Sequence, residues 1–142
     1  MRLLEALNGN KNKKPVWLMR QAGRHLPEYR ELRKKSNNLM EMFLNDDIIS
    51  QVTLQPIERY EMDAAILFSD ILMIPYSLGS SLSFQEGGIG PVVKLVKLDN
   101  DLKQDLNLLK PVFNGITKIK KETQNKIPLI GFVGGVWTTI YF

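Results

Sequence analysis

Three short runs of apolar residues stand out along the chain. They cover residues 16–19 (VWLM), 64–68 (AAILF) and 127–133 (IPLIGFV), and polar or glycine-containing sequence follows each of them. Runs this short, without alternation of polar and apolar positions, are typical of strands that are buried on both faces, as in a parallel sheet. The sequence therefore predicts three buried strands.

Helical patterns fill the intervals between these strands. Charges run from acidic to basic along 28–35, two aspartates begin a helical stretch at 46–60, and apolar residues recur at helical spacing over 102–116. Pro56 is expected to kink or interrupt the second of these helices. Strands that alternate with helices predict βαβ units and a parallel α/β sheet, and both a barrel and an open doubly wound sheet begin in this way.

Two other stretches predict connections. Residues 8–14 (NGNKNKK) are polar and turn-prone and predict a linker. Residues 75–100 are rich in glycine and serine and predict a long connection with a small hairpin formed by 81–84 and 91–96. The length of 142 residues suits one domain but is short for a closed (β/α)₈ barrel, which typically needs about 250.

Composition and charge narrow the classes of function. The chain has no cysteine and a single histidine, His25, so disulfides, thiolate metal sites and a multi-histidine metal site within it are excluded. The net charge of +4 comes largely from lysines in predicted linkers and at a helix end, with few aromatic residues between them, which argues against a nucleic-acid surface. No apolar run approaches the roughly 20 residues of a membrane span, and the start lacks a leader pattern, so a cytoplasmic protein without a membrane partner is predicted.

Polar residues follow the predicted strands at their carboxyl ends, where parallel α/β folds bind ligands. Arg20 and Arg24 follow the first strand, and their guanidinium groups offer planar forks for carboxylates. Asp70 follows the second strand and can accept hydrogen bonds from N–H groups or stabilise developing positive charge. The alternatives are that the arginines form surface ion pairs and that Asp70 caps the following turn.

Other candidate positions have simpler interpretations. His25 is interpreted as a partly packed loop residue, and Trp137, after the third strand, as a core residue. The glycines around 131–135 do not complete a G-x-G-x-x-G pattern, and G-x-x-x-x-G-K-[ST] and G-x-S-x-G do not occur. Phosphate binding, dinucleotide binding and a serine nucleophile therefore lack support.

Four segments, taken in order along the chain, resemble the uroporphyrinogen decarboxylase family. They are residues 15–29 (PVWLMRQAGRHLPEY), 52–59 (VTLQPIER), 63–72 (DAAILFSDIL) and 128–138 (PLIGFVGGVWT). The chain departs from the family pattern where His25 takes the position of a usual tyrosine and Val136 that of a usual proline.

The resemblance implies a fold and a reaction. The implied fold is an incomplete (β/α)₈ TIM barrel, of which this chain supplies about the first three strands and their helices, and the full-length family forms homodimers. The implied reaction removes the four acetate carboxyl groups of uroporphyrinogen III to give coproporphyrinogen III in haem biosynthesis, with no metal and no organic cofactor. The substrate carries eight carboxylates, which suits a basic cleft.

Matching motifs also carry over the family's site residues. The implied substrate-binding loop consists of Arg20, Gln21, Ala22, Gly23 and Arg24. Its arginines would hold substrate carboxylates, and Arg20 would assist proton transfer. Asp70, the second expected catalytic residue, would bind the central pyrrole N–H groups and stabilise a cationic intermediate. The family's site tyrosine falls at Phe142 or, if the register shifts by one, at the substrate-binding candidate Tyr141.

Two other classes of protein stay open. One is a related barrel methyltransferase acting on corrinoid or thiol substrates, which usually needs cysteine and histidine zinc ligands late in the chain. The RQAGR loop and Asp70 argue against it. The other is a non-enzymatic, basic interaction fragment, which salt-dependent nucleic-acid binding would reveal. Because the chain supplies only about three of the family's eight strands, we expect the isolated chain to fold poorly and to have little activity. We expect it to be a split or decayed gene product, or one piece of a complemented enzyme.

Overall fold

A computed structural model describes residues 1–12, 14–84, 90–94 and 104–141, the side chains of residues 140 and 141 excepted. Four helices precede the first strand, so the predicted order of strands and helices holds only from the second predicted strand onward. The elements are α1 (Arg2–Leu7), α2 (Pro27–Lys35), α3 (Leu39–Phe43), α4 (Asp46–Tyr60), β1 (Ala65–Ile66), α5 (Met73–Ser77), β2 (Ser81–Phe84), β3 (Pro91–Lys94), a 3₁₀ turn (Leu106–Leu109), α6 (Lys110–Glu122), β4 (Leu129–Ile130) and α7 (Val136–Tyr141).

The described strands form two small sheets. β1 and β4 pair in parallel, with Ala65 opposite Leu129 and Ile66 opposite Ile130. β2 and β3 pair antiparallel as a hairpin. The predicted parallel pairing and the predicted hairpin are thus confirmed, although β1 and β4 are each only two residues long. Residues 95–96, predicted for the hairpin's second strand, lie outside the described residues.

The first predicted strand, residues 16–19, is not a strand in the structure. One main-chain hydrogen bond, from the N–H of Asp63 to the carbonyl oxygen of Val16 (2.9 Å), joins this segment to the residues before β1. The N–H of Val16 donates to Oδ2 of Asp63 (2.9 Å) rather than to a strand carbonyl, so ladder pairing does not begin there. The predicted burial on both faces is also wrong, because Val16 is 60% exposed and Met19 is 84% exposed.

α4 begins and ends close to the predicted residues. The side chain of Asn45 caps it, since Oδ1 accepts hydrogen bonds from the N–H groups of Asp47 (3.0 Å) and Ile48 (3.1 Å). Glu61, in a left-handed conformation with φ of 52°, follows its last turn. The interruption expected at Pro56 does not occur: the helix runs through this residue, and burial of its ring opposes the loss of one main-chain hydrogen bond.

The main core lies between α4, α6 and one face of the β1–β4 pair. Its buried side chains are Ile49, Leu54, Leu67, Val112 and Ile119. The absence of a side chain at Gly115 lets the two helices approach closely, because a Cβ there would lie 2.7 Å from Cγ2 of Ile49. This packing covers the helix-facing side of the parallel pair.

Phe68 joins this core to the cluster around α2 and α3. Its ring centroid lies 6.0 Å from that of Tyr29 and 5.0 Å from that of Phe43. Its backbone N–H donates to Oγ1 of the buried Thr53 on α4 (2.9 Å). These contacts fix the chain just after β1, two residues before Asp70.

The predicted linker is a set of exposed turns after α1. Residues 8–12 and residue 14 are exposed, and residue 13 lies outside the described residues. In the part of the chain that the structure describes, no helix is both long enough and apolar enough to cross a membrane.

Candidate functional site

The loop after residues 16–18 is anchored to β1 by Gln21. This side chain is 2% exposed, and its Nε2 donates to the carbonyl oxygen of Ala64 (2.9 Å). Its Oε1 accepts a hydrogen bond from the N–H of Leu18 (3.3 Å). The Gln21 amide therefore fills both of its polar roles within the protein and sets the position of the neighbouring Arg20 relative to β1.

A turn at Gly23 closes the far end of this loop. Gly23 has φ of +150°, a conformation that other residues rarely adopt, and its carbonyl oxygen accepts a hydrogen bond from the N–H of Leu26 (3.0 Å). The side chain of Leu26 is fully buried beside the partly buried Ala22. Buried groups thus hold the loop between its two exposed arginines and directly after them.

Arg20 lines two cavities at the carboxyl end of β1. One has a volume of about 180 Å³ and includes Ser69 in its wall, and the other has a volume of about 570 Å³ and includes Ile71. Met19, Arg20 and Ile66 line both. The residue between Ser69 and Ile71 is Asp70, so the structure brings Arg20 to the segment that carries Asp70.

Asp70 is partly buried and holds a turn. Its Oδ1 accepts a hydrogen bond from the N–H of Leu72 (2.8 Å), and its carbonyl oxygen accepts one from the N–H of Met73 (3.2 Å). Burial raises the pKa of Asp70, and the hydrogen bond from Leu72 opposes that rise. None of the ion pairs among the described residues joins Asp70 to Arg20 or Arg24.

The end of the third predicted strand also reaches this region. A Cβ at Gly134 would lie 3.3 Å from Cβ of Ile71, so the chain after β4 passes directly beside the residue that follows Asp70. Trp137, expected in the core, lies on α7 and is instead 83% exposed, so that expectation is wrong. The backbone of Tyr141 ends α7, but its side chain and all of Phe142 lie outside the described residues.

The predicted site residues thus divide into two groups. Arg20, Gln21 and Ala22 line the smaller cavity together with Ser69, next to Asp70. Asp70, Gly23 and Arg24 line neither cavity, and only the neighbours Ser69 and Ile71 of Asp70 do. Arg24 is exposed, and its carbonyl oxygen accepts a hydrogen bond from Nη1 of Arg30 (2.9 Å). His25 lies in the loop as predicted, but it is exposed, so the partial packing expected for it is wrong.

Sequence reasoning missed the apolar walls of the site. The larger cavity is lined mainly by apolar side chains, namely Trp17, Met19, Ile66, Ile71, Ile130 and Phe132. Five of them belong to the runs that predicted strands, so the sequence signal was present but indicated burial alone. Among the described residues, no group of three or more histidine, aspartate or glutamate side chains could hold a metal ion.

Fold and site together define an α/β protein with a mixed polar and apolar site at the carboxyl ends of parallel strands. The chain belongs to the uroporphyrinogen decarboxylase family, because the sequence model described as "Uroporphyrinogen decarboxylase (URO-D)" matches residues 1–142. The family resemblance found in the four sequence segments is thereby confirmed.

Individual relatives are similar over almost the whole chain. A uroporphyrinogen decarboxylase of Chelativorans sp. (strain BNC1) is 47% identical over 142 residues, covering 96% of this chain and 41% of the relative. A uroporphyrinogen decarboxylase of Rickettsia africae (strain ESF-5) is 44% identical over 144 residues, covering 99% of this chain and 41% of the relative. This chain therefore spans about two fifths of the length of the curated relatives that it matches.

A solved structure shares the fold. A methyltransferase from Methanosarcina mazei superposes with a TM-score of 0.71, at 17% sequence identity, over 97% of this chain and 42% of that protein. Identity this low establishes a common fold and says nothing about a common reaction.

Proposed function

We propose that this chain forms the N-terminal part of the active site of a uroporphyrinogen decarboxylase, which converts uroporphyrinogen III to coproporphyrinogen III. The observation that carries the proposal is the position of Arg20, whose side chain lines both cavities at the carboxyl end of β1, beside the Ser69–Ile71 segment that holds Asp70. A cation and a carboxylate in neighbouring loops at the carboxyl end of β1 suit a substrate that has carboxylates at its rim and pyrrole N–H groups at its centre.

The arginines act on the rim of the substrate. A guanidinium group stays protonated at physiological pH and bonds a carboxylate through two parallel N–H donors. Arg20 would bind an acetate group close to the reacting ring, and the exposed Arg24 would bind a carboxylate further out. Ala22 and Gly23 shape the loop between them and stay predicted substrate contacts, whereas the buried Gln21 acts by positioning Arg20.

Asp70 acts on the centre of the substrate. Its Oδ1 holds the turn through Leu72, so Oδ2 would accept hydrogen bonds from pyrrole N–H groups. When a ring carbon takes up a proton, the ring becomes cationic, and the half-buried carboxylate stabilises that charge. The electron pair of the bond to the departing carboxylate then moves into the ring and CO₂ leaves. Protonation of the resulting methylene carbon and loss of the ring proton complete the replacement of CO₂ by H⁺.

The family resemblance supplies the rest of the proposal. The chain would contribute about the first three strands of a (β/α)₈ barrel, in a cytoplasmic homodimer that needs no metal and no organic cofactor. Tyr141 would reach the substrate if the register after Trp137 shifts by one residue.

A chimera tests the proposed function. Residues 1–142 are fused to the part of the Chelativorans relative that this chain does not match, and the fusion is incubated with uroporphyrinogen III. We expect coproporphyrinogen III as the product, with little turnover by residues 1–142 alone, because the open site exposes its reacting groups to water. A folded chimera that leaves uroporphyrinogen III unchanged would refute the proposal.

A further inference from the structure

A side chain on α2 holds the loop that carries Arg20 and Arg24, and it does so from outside the two cavities. Nη1 of Arg30 donates hydrogen bonds to the carbonyl oxygens of Arg24 (2.9 Å) and His25 (3.3 Å). Arg30 lines neither cavity, so it does not belong to the walls of the site. The buried Gln21 holds the chain before Arg24, and Arg30 holds it at Arg24 and directly afterwards.

Main-chain groups of the described residues do not bond these two carbonyl oxygens. α2 begins at Pro27, and the carbonyl oxygen of Leu26 is the one that accepts from a helix N–H, that of Arg30 (3.2 Å). Among the main-chain hydrogen bonds of the described residues, none reaches the carbonyl oxygen of Arg24 or of His25. The terminal amino group of an arginine has two N–H donors, which matches two acceptors. Arg30 therefore supplies the hydrogen bonds that fix the chain before the helix begins.

Arg30 makes this contact although carboxylates stand on the same helix. Arg30 is exposed, and Glu28 and Glu31 are its near neighbours on α2. The carboxylate of Glu28 pairs with Arg59. That of Glu31 pairs with Lys34 (2.9 Å). None of the ion pairs among the described residues includes Arg30, so its guanidinium group acts on the loop and not on a surface carboxylate.

The side chain of Arg24 also lies near α2. Burial raises the pKa of the Tyr29 hydroxyl, and the positive charges of Arg33 and Arg24 oppose that rise. Tyr29 lies in the first turn of α2, directly before Arg30. The guanidinium group of Arg24 is therefore close to the first turn of α2, on the side where Arg30 holds its main chain.

We propose that Arg30 is a positioning residue, which fixes the main chain at Arg24 so that the Arg24 guanidinium group is presented to an outer carboxylate of the substrate. A hold at this point is needed because Gly23, the preceding residue, belongs to the residue type that restricts the chain least. The inference rests on the proposed function and extends it. Arg30 touches neither the substrate nor the reacting atoms, and it acts through the position of Arg24.

The dissociation constant of uroporphyrin III tests this proposal. This compound is the oxidised form of the substrate and keeps all eight carboxylates, so it reports binding without turnover. The chimera is titrated with it, and quenching of tryptophan fluorescence measures the complex. We expect Arg30→Met to raise the dissociation constant by about tenfold, because the side chain keeps a similar length and loses its donors. Arg30→Lys, whose ammonium group can donate to both carbonyl oxygens, should recover most of the affinity.

Lys34→Met is the matched control. It removes the same charge from the same helix, but Nζ of Lys34 donates to Oε1 of Glu31 (2.9 Å) and not to a loop carbonyl. We expect the dissociation constant to stay within about twofold of the parent value, because a single exposed charge contributes little. Equal weakening by Arg30→Met and Lys34→Met would overturn the proposal, since Arg30 would then act only as one positive charge among several. An unchanged dissociation constant in Arg30→Met would overturn it as well.

Steady-state kinetics separate this inference from the proposed reaction. With uroporphyrinogen III, Arg30→Met should raise KM by about tenfold and leave kcat within about twofold, because Arg24 binds a carboxylate away from the reacting ring. A lower kcat at unchanged KM would contradict positioning of Arg24. A chimera that binds uroporphyrin III through Arg30 but releases no CO₂ would refute the reaction and leave the positioning role intact. A folded chimera without affinity for uroporphyrin III would refute both.

Discussion

At the scale of single residues, the partial burial of Asp70 makes its charged form unfavourable for folding, although the proposed function needs that charge. Its side chain is partly removed from water, one oxygen holds the turn to Leu72, and none of the described ion pairs neutralises it through Arg20 or Arg24. Burial disfavours the charged form, so its pKa is raised. An ionised carboxylate in such surroundings lowers the stability of the fold. It also attracts a bound cation more strongly than a carboxylate in water does.

Asp70→Asn should therefore stabilise residues 1–142 at neutral pH. Because the pKa of Asp70 is raised in the folded state, its contribution to stability is fully present below the ordinary carboxyl pKa of about 4. This contribution is lost as the pH rises through the folded-state pKa. The asparagine oxygen still accepts from Leu72 and carries no charge. Urea denaturation should show a gain that is larger at pH 7 than at pH 4.

Asp105→Asn is the matched control for this effect. Oδ1 of Asp105 accepts a hydrogen bond from the N–H of Asn107 (2.9 Å), the same two-residue geometry, but the residue is exposed. We expect Asp105→Asn to give no gain in stability at pH 7. A loss of stability at pH 7 in Asp70→Asn would mean that a positive charge, and not burial, controls the Asp70 carboxylate.

Gln21→Leu should destabilise the chain by about 1–3 kcal/mol, because the carbonyl of Ala64 and the N–H of Leu18 lose their partner in or near the interior. The free energy of unfolding from urea titration measures this. Gln51→Leu, at an exposed position on α4, should change it by less than about 0.5 kcal/mol. Equal values for the two variants would show that the Gln21 amide does not anchor the loop.

At the scale of elements, the contact between α4 and α6 depends on one missing side chain. Gly115→Ala would place Cβ 2.7 Å from Cγ2 and 3.0 Å from Cβ of Ile49, neither of which is the end of a flexible chain. The helices must separate, which costs about 1–3 kcal/mol and exceeds the gain of about 1 kcal/mol in helix propensity. Thermal unfolding should show a lower Tm, whereas the exposed neighbour Asn114→Ala should keep or raise it. A higher Tm for Gly115→Ala would contradict the close approach.

Thr53 connects α4 to the end of β1. Its Oγ1 donates to the carbonyl oxygen of Ile49 (2.7 Å) and accepts from the N–H of Phe68 (2.9 Å). Thr53→Val keeps the shape and leaves the Phe68 amide unpaired, so we expect a loss of about 1–2 kcal/mol in urea denaturation. Thr53→Ser should recover most of it. Thr117→Val, at an exposed position on α6, should have little effect, and a similar loss there would rule out a special role for Thr53.

At the scale of the whole molecule, helices and strands that depend on local sequence were predicted correctly. Predictions of burial were wrong where burial depends on segments far away along the chain. The ends of α4 follow from its cap and its charges, and the pairing of β1 with β4 follows from the βαβ order. The segment 16–19 and Trp137 were predicted to be buried and are exposed. An apolar run indicates that its side chains favour burial, but it does not indicate which residues would cover them.

The same distinction between local and long-range features holds for the candidate site. The motif identified Arg20 and Asp70, and the structure brings their segments to shared cavities. The buried anchoring role of Gln21 was not predictable, because a glutamine between two polar loop residues gives no sign of burial. The close approach of Gly134 to Ile71 was not predictable either, because it depends on how two segments that are distant in sequence pack together.

The most direct measurement compares decarboxylation rates of the chimera and its Asp70→Asn variant, with Asp105→Asn as the control. If the Asp70 carboxylate stabilises the cationic ring, Asp70→Asn should lower kcat by about 100-fold or more at unchanged folding, and Asp105→Asn should turn over uroporphyrinogen III normally. An Asp70→Asn chimera that releases CO₂ at the rate of the parent would contradict a role for this carboxylate in the reaction.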